Sequence, residues 1–197
     1  MSPLQAMERS YGALKALLRD GAFPPGHRLE ANRIADDVGV SMTPVRDALN
    51  RLVGERLVDS SSGDGFHVPR FTEGDLRDLY EWHSALIILA TQTTRILPNA
   101  EQMQEALAGE SLAEVTSACF ALMADATPNA ELRAAIHSAG DRLHPYRRFE
   151  GSVLEPVRGE LEEMLAQGTG QRQAIRRYHA ARMRTVPALV RARSARK

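Results

Sequence analysis

The chain has a single cysteine, Cys119, among its 197 residues. An internal disulfide is therefore excluded, and the usage suits a reducing cytoplasm. A lone cysteine of this kind reads as a small buried apolar residue rather than a redox switch. Long apolar runs are missing as well. The longest, residues 84–90, falls far short of the roughly 20 residues needed to cross a bilayer, and the start lacks the charged-then-apolar plan of a secretion signal. No membrane partner is expected. Also absent are a phosphate-cradling glycine loop, a nucleophile elbow and an HExxH zinc helix, and Cys119 has no basic neighbours in sequence. The chain is therefore not expected to be an enzyme or to carry a cofactor.

Net charge is absent too, with 25 basic and 25 acidic side chains. The neutrality hides a lopsided distribution. Residues 1–70 hold nine of each sign, residues 71–170 hold seven basic and sixteen acidic, and residues 171–197 hold nine basic and no acidic ones. The expected arrangement lays Arg172, Arg176, Arg177, Arg182 and Arg184 of a last helix along the acidic middle. The alternative gives the basic end, residues 191–197, a supplementary electrostatic role on phosphates. With 43% hydrophobic content, the length suits two modest globular domains.

What the sequence does contain is a strong local pattern at residues 41–58, SMTPVRDALNRLVGERLV. Ser41 is a good N-cap, and Pro44 falls in the first helical turn, where its missing N–H loses nothing. Val45, Ala48, Leu49, Leu52 and Val53 recur at helical spacing and predict one buried stripe. Met42, Thr43, Arg46, Asp47 and Asn50 fall on the opposite face. Arg46 and Asn50 stand one turn apart, within reach of the same short run of base edges or phosphates in a major groove. Upstream, residues 29–38 predict a short helix with Leu29, Ile34, Ala35 and Val38 inward and Gly39 as its stop. Residues 3–19 predict a first helix that gives Leu4, Met7, Tyr11, Leu14, Leu17 and Leu18 to the same core, closed by Gly21 and a rigid FPPG turn. Downstream, residues 56–60 and 66–70 read as two strands around the Asp64-Gly65 turn pair, a hairpin wing.

The stretch DGAFPPGHRLEANRIADDVGVSMTPVRDALNRLVGERLV, with the later GDGFHV, resembles the winged helix-turn-helix domain of the GntR transcription regulators, nearly without gaps. Gly21, Pro25-Gly26, Leu29, Ile34-Ala35, Gly39-Val40-Ser41, Thr43-Pro44-Val45-Arg46, Ala48-Leu49, Leu52 and Gly65 fall in family register. The resemblance implies that Thr43 and Arg46 touch DNA and that Gly65 lies near the minor groove. With Arg33, Ser41, Met42, Asn50 and His67 they make the expected DNA-binding set. Arg28 and Arg51 stay open between phosphate contact and a solvated helix or strand face. Met42 departs from the family, which usually carries Arg after the capping Ser. Loss of that guanidinium removes a contact worth roughly 1–3 kcal/mol of base discrimination. The preferred operator is expected to differ accordingly.

From Thr72 onward the period is helical throughout. Thr72 is expected to cap a helix reaching about Ile96, with Leu76, Leu79, Tyr80, His83, Leu86, Ile87 and Ala90 inward and Pro98 beyond its end. Further helices are predicted near residues 99–108, 111–126, 129–149, 153–166 and 171–193, the last bent at Pro187. On DLRDLYEWHSAL, FALMADATPNAELRAAI and DRLHPYRRFE, this half is similar to the FadR C-terminal type of effector domain found in one GntR branch. The region between Leu97 and Ala118 is shorter than in most relatives.

Many domains of that type hold a divalent ion through an Asp, a His four residues later and two further His on the last helices. In register those positions are Ser117, Ala121, Met164 and Val186. They supply neither carboxylate nor imidazole, so no metal is expected. His137 and His144 give too few ligands for a new site. His83 stands where relatives carry an Arg that assists with a carboxylate ligand, and Ile87 where they carry Glu, so any ligand is expected to be less acidic or held by other groups. His83, His137, Arg142 and Tyr146 are the candidate effector-binding residues.

The expected architecture is mainly α. Residues 1–70 form a winged helix-turn-helix of three helices plus a hairpin wing, and residues 71–197 form an all-helical effector-binding and dimerisation domain of about six helices. The expected function is that of a cytoplasmic homodimer that binds a pseudo-palindromic double-stranded DNA operator and acts as a repressor, with a small metabolite sensed in the bundle. The alternative is a DNA-binding dimer whose second domain serves only for dimerisation or protein docking.

Overall fold

In the computed structural model the described residues are 2–61, 63–94, 98–154, 157–166, 168 and 170–195. They fall into two compact units, Met1–Phe71 with Ser194–Lys197, and Thr72–Arg193.

The first unit begins with α1 (Pro3–Arg19), which opens on a capping box. The Ser2 hydroxyl accepts from the Gln5 N–H and the Gln5 side chain accepts from the Ser2 N–H, while Pro3 occupies the first helical position. Its inward face runs Ala6, Ser10, Leu14, Leu18. Leu4 and Leu17, expected inward, are instead 66% and 44% exposed, because the buried row advances in steps of four and leaves both to its sides. Next come α2 (Ala31–Val38) and α3 (Met42–Gly54). Gly39 ends α2 in the left-handed region at φ 72°, with its N–H on Ala35. Only a residue without Cβ takes that conformation at no steric cost, and the tight turn into α3 depends on it.

Leu29 was expected to start α2. It belongs instead to a two-residue strand, β1 (Arg28–Leu29), which pairs antiparallel with β3 (Gly65–His67) through Arg28↔His67 and Leu29↔Phe66. β2 (Asp59–Ser61) pairs with the other edge of β3, giving the order β1-β3-β2. The hairpin strands are shorter than expected. Arg56 cannot extend β2, because it takes the left-handed conformation (φ 58°) that closes α3, with Leu57 N–H reaching back to the Leu52 carbonyl. Past β3, residues 68–70 leave the ladder; the Val68 N–H donates to the His27 carbonyl and the Gly26 N–H to the Val68 carbonyl.

The core of this unit is Leu14, Leu18, Leu29, Ala35, Val45, Ala48, Leu49, Leu52, Leu57, Val58 and Val68. Val53 lies at its edge rather than inside it. At the surface, α1 and α3 are tied by Glu55, which accepts from the Tyr11 hydroxyl (2.7 Å) and Lys15 (2.9 Å).

The second unit is helical among its described residues: α4 (Glu73–Thr93), α5 (Ala100–Leu107), α6 (Leu112–Asp125), α7 (Ala130–Arg147), α8 (Glu150–Val153), α9 (Val157–Leu165) and α10 (Gln171–Ser194). Thr72 caps α4 in a capping box with Asp75, and this hydrogen bonding holds the Asp75 carboxyl below its ordinary value. The expected inward face of α4, Leu76, Leu79, Tyr80, His83, Leu86, Ile87 and Ala90, is buried throughout. The expected end at Ile96 lies outside the described residues. Where one helix was expected over residues 129–149, α7 stops at Arg147 and the one-turn α8 follows. Helix α9 starts at Val157 rather than 153, and α10 runs on through Pro187 as one helix.

Candidate functional site

Helix α3 presents two faces of different chemistry. Pro44, Val45, Ala48, Leu49 and Leu52 are buried, and Ser41, Met42, Thr43, Arg46, Asp47 and Asn50 are exposed. Ser41 sits at the N-cap position, but its side chain makes no capping hydrogen bond. The first N–H groups of α3 and the Ser41 hydroxyl therefore remain available to a phosphate oxygen. Among the described residues, Arg33, Thr43, Arg46 and Asn50 make no side-chain hydrogen bond or ion pair. These four side chains project into solvent with their donors unspent.

Arg51 differs. It pairs with Glu8 at 2.9 Å and Glu55 at 3.5 Å and lies over the Tyr11 ring at 3.8 Å. Its place is in the α1–α3 surface network and not on the free face. On the wing, Gly65 has φ 85°, another position where a side chain would strain the backbone. His67 is half-buried, with Nε2 3.7 Å from Asp64. Arg28 and His67 are ladder partners, and the Arg28 guanidinium lies beside Gly65. Arg28 thus joins the wing, which a helical reading of the residues after it did not reveal.

Residues 6–68 match the family of bacterial regulatory proteins termed gntR. Those residues belong to the GntR family. The HTH-type transcriptional regulator McbR of Escherichia coli K12 is 33% identical over 100 residues, covering 48% of this chain and 45% of McbR. An uncharacterized HTH-type transcriptional regulator of Bacillus subtilis 168, YdhC, is 27% identical over 108 residues, covering 55% of this chain and 47% of YdhC. The chain thus matches a little under half the length of these relatives. Among solved structures, a GntR transcriptional regulator from Rhodococcus sp. RHA1 superposes with a TM-score of 0.72 at 19% identity, over 94% of this chain and 97% of that one. Escherichia coli McbR/YncC superposes at 0.65 and 22% identity, over 95% and 97%. At these identities the two structures establish the fold.

The helical unit has a second feature, a polar cluster buried in its core. Glu150 is fully buried and accepts from the Tyr80 hydroxyl (3.0 Å), the Tyr178 hydroxyl (3.3 Å) and Arg182 Nε (3.1 Å). Arg182 also pairs with Glu160 and lies over the Tyr178 ring at 3.5 Å. Burial and the neighbouring Glu150 charge push the Tyr80 hydroxyl well above its usual range. Beside this group, His179 Nδ1 is 2.7 Å from the Ile175 carbonyl, and His83 Nδ1 is 2.9 Å from His179 Nε2. A carbonyl only accepts, so His179 carries its proton on Nδ1. Its bare Nε2 then takes a hydrogen bond from His83 Nδ1–H, which leaves His83 Nε2 bare to accept from Arg147. Both imidazoles are neutral in this chain of bonds. Burial accordingly lowers the His83 pKa far below its ordinary value and that of His179 to about 3.

Of the four candidate effector residues, only His83 lies in this cluster. His137 is exposed and pairs with Asp125 at 3.1 Å. Tyr146 is buried against Arg193, whose guanidinium is 5.5 Å from the ring. Arg142 is half-buried. Glu150, Arg147, His179 and Arg182 were missed, because charged residues on helices read as surface. The signal was there: Tyr178, His179 and Arg182 share a stripe with Ile175, Val186 and Leu189.

The four positions that would hold the family's metal do not fit one. Met164 and Val186 are fully buried apolar residues, and Ala121 has no donor. The Ser117 hydroxyl bonds His144 Nδ1 at 2.8 Å and accepts from the Arg147 guanidinium at 3.4 Å, a cation where an ion's charge would be repelled.

Proposed function

We propose that this chain is a sequence-specific DNA-binding transcriptional regulator. It acts as a homodimeric repressor in the cytoplasm, and its helical unit is of the FadR C-terminal type and responds to a small molecule. One observation carries the DNA-reading role. The face of α3 bearing Thr43, Arg46 and Asn50 is exposed and, among the described residues, makes no side-chain hydrogen bond or ion pair, so reading a base edge or phosphate breaks no such bond. Two copies related by a two-fold axis would set such helices into successive major grooves, about 34 Å apart, and so favour a pseudo-palindromic operator. A ligand that prefers one arrangement of the two reading heads would shift operator affinity by its differential affinity. The sensing role draws support from the buried polar cluster, which is costly to fold and unnecessary for dimerisation alone.

The test is selection of genomic fragments by the purified full chain at moderate salt. A reproducible subset sharing an inverted repeat is expected. Recovery no different from random duplex would overturn the reading.

A further inference from the structure

The first unit contains a cleft of about 450 Å³ between α1, the FPPG turn and α2, and every residue lining it belongs to that unit. Its wall is apolar: Leu14 and Leu17 from α1, Phe23 and Pro24 from the turn, Ile34 and Val38 from α2. Leu17 is 44% exposed. One exposed leucine is ordinary, whereas six apolar side chains around one concavity mark a binding surface. The volume falls within the roughly 300–1,000 Å³ of small-ligand pockets and is too small for a docked helix, about 10–12 Å across. The Phe23 and His27 rings, both in the lining, stack nearly parallel at 16° with centroids 5.2 Å apart. Helix α2 adds a charged row. Glu30, Arg33 and Asp37 succeed one another at steps of three and four, where opposite charges on a helix ordinarily meet. Among the described residues none of these three side chains makes a hydrogen bond or ion pair, and Glu30, at the N-cap position of α2, makes no capping bond. Arg28, whose guanidinium borders Gly65, brings the lining to two charges of each sign besides His27.

We propose that this cleft binds a free aromatic amino acid. The flat apolar body lies against the apolar wall and the paired rings of Phe23 and His27, and the zwitterionic head meets the row on α2. Arg33 takes the carboxylate through its planar fork, and Asp37 and Glu30, on either side of it, take the ammonium. A monocarboxylate would set its charge against Glu30 and Asp37, and a monocation would set its own beside Arg33. A zwitterion satisfies both signs and adds no net charge to a balanced lining. The site needs no part of the helical unit and is independent of any sensing there. Its occupation also has a consequence for DNA, which rests on the reading of Arg33 as a DNA contact. An amino acid on that guanidinium competes with a phosphate, so ligand and operator weaken each other's binding by the same factor.

The test is titration calorimetry of the full chain with L-tryptophan and L-phenylalanine. Tryptamine keeps only the ammonium, indole-3-propionate only the carboxylate, and glycine only the head. At least one aromatic amino acid is expected to bind with a Kd of about 0.1–1 mM, the range for a ligand of its size, and the three fragments at least about fivefold more weakly. Ala13→Trp and Ala22→Trp place bulk in the cleft from exposed positions, and each should abolish binding. Asp37→Asn, also at an exposed position, tests the site without filling it. It should weaken the amino acid and leave indole-3-propionate unchanged, while Arg33→Gln should weaken the amino acid and leave tryptamine unchanged. The proposal is overturned if neither amino acid binds below about 10 mM, if a fragment binds as tightly, or if binding survives Asp37→Asn or both cleft-filling variants undiminished. Binding that passes these tests but leaves operator affinity unchanged supports the site and overturns the competition for Arg33 alone.

Discussion

Arg46 and Arg51 lie on the same helix, yet the structure assigns them opposite consequences. Arg46→Ala removes an exposed guanidinium that makes no hydrogen bond or ion pair among the described residues, so stability should change by no more than about 0.5 kcal/mol. Operator affinity should fall by about 1–3 kcal/mol, or roughly 5- to 150-fold in Kd, if the side chain meets a base edge. If it meets a phosphate instead, the slope of log K against log salt should drop by about 0.9. Arg51→Ala should do the reverse. Its pairs with Glu8 and Glu55 are half exposed and contribute a few tenths of a kcal/mol each, and the Tyr11 ring adds a similar amount. The expected loss is about 1 kcal/mol of stability, a fall of about 2–4 °C in melting temperature, with little effect on Kd. Fluorescence anisotropy on a labelled operator across a salt series, beside thermal melts of both variants, reads all four quantities. The reasoning is refuted if Arg46→Ala leaves affinity and salt slope unchanged, or if Arg51→Ala is the variant that weakens DNA binding.

Further outcomes follow from the helical unit and from the end of α3. Glu150→Gln should cost about 3 kcal/mol in urea unfolding, since it weakens the acceptor for two buried hydroxyls and halves the counter-charge on Arg182; a loss below about 1 kcal/mol would contradict the packing described. His83 and His179 are held neutral in the fold, so as pH drops below about 6.5 the unfolded chain takes up protons that the native one refuses. Stability is then fully present above that pH and declines below it, by up to about 1.4 kcal/mol per pH unit for each histidine, and His83→Gln should flatten the decline measured between pH 7.5 and 5. Arg56→Gly relieves a left-handed residue at the end of α3 and should add about 1 kcal/mol, visible as a higher urea midpoint; an unchanged or lower midpoint would argue against strain there.

Long periodic segments were readable from the amino acids alone. The bounds of α1 and the seven inward positions of α4 follow directly from spacing and caps, because burial along a helix leaves a 3.6-residue trace. β1 left no such trace. Two residues are too few for a period, and Leu29 matched the offset of the helix behind it until pairing with β3 decided its state. The free face of α3 was equally plain, since polar residues fell where the apolar stripe was not. The paired state of Arg51 was not, because Glu8 is 43 residues away. The core cluster escaped for a related reason: Glu150 pairs with Arg182, and Arg147 meets Ser117 and His83, across helices, and hydrophobic patterning scores each as solvent-facing. Only the position of Arg147 and Arg182 on otherwise apolar stripes marked those two.

The hairpin is anchored unevenly, and this bears on how relatives can diverge. Its inner strand is stitched to residues 26–29 by the β1 pairing and by the exchanges of Gly26 and His27 with Val68. An added or deleted residue in the FPPG turn would therefore slip the whole ribbon by one position and turn its side chains over. At the far end, beyond the Ser61↔Gly65 pair, a change of length disturbs no such ladder. Insertions that alter how DNA is gripped should accumulate at that tip, whereas the proline turn should tolerate substitution but not a change in length.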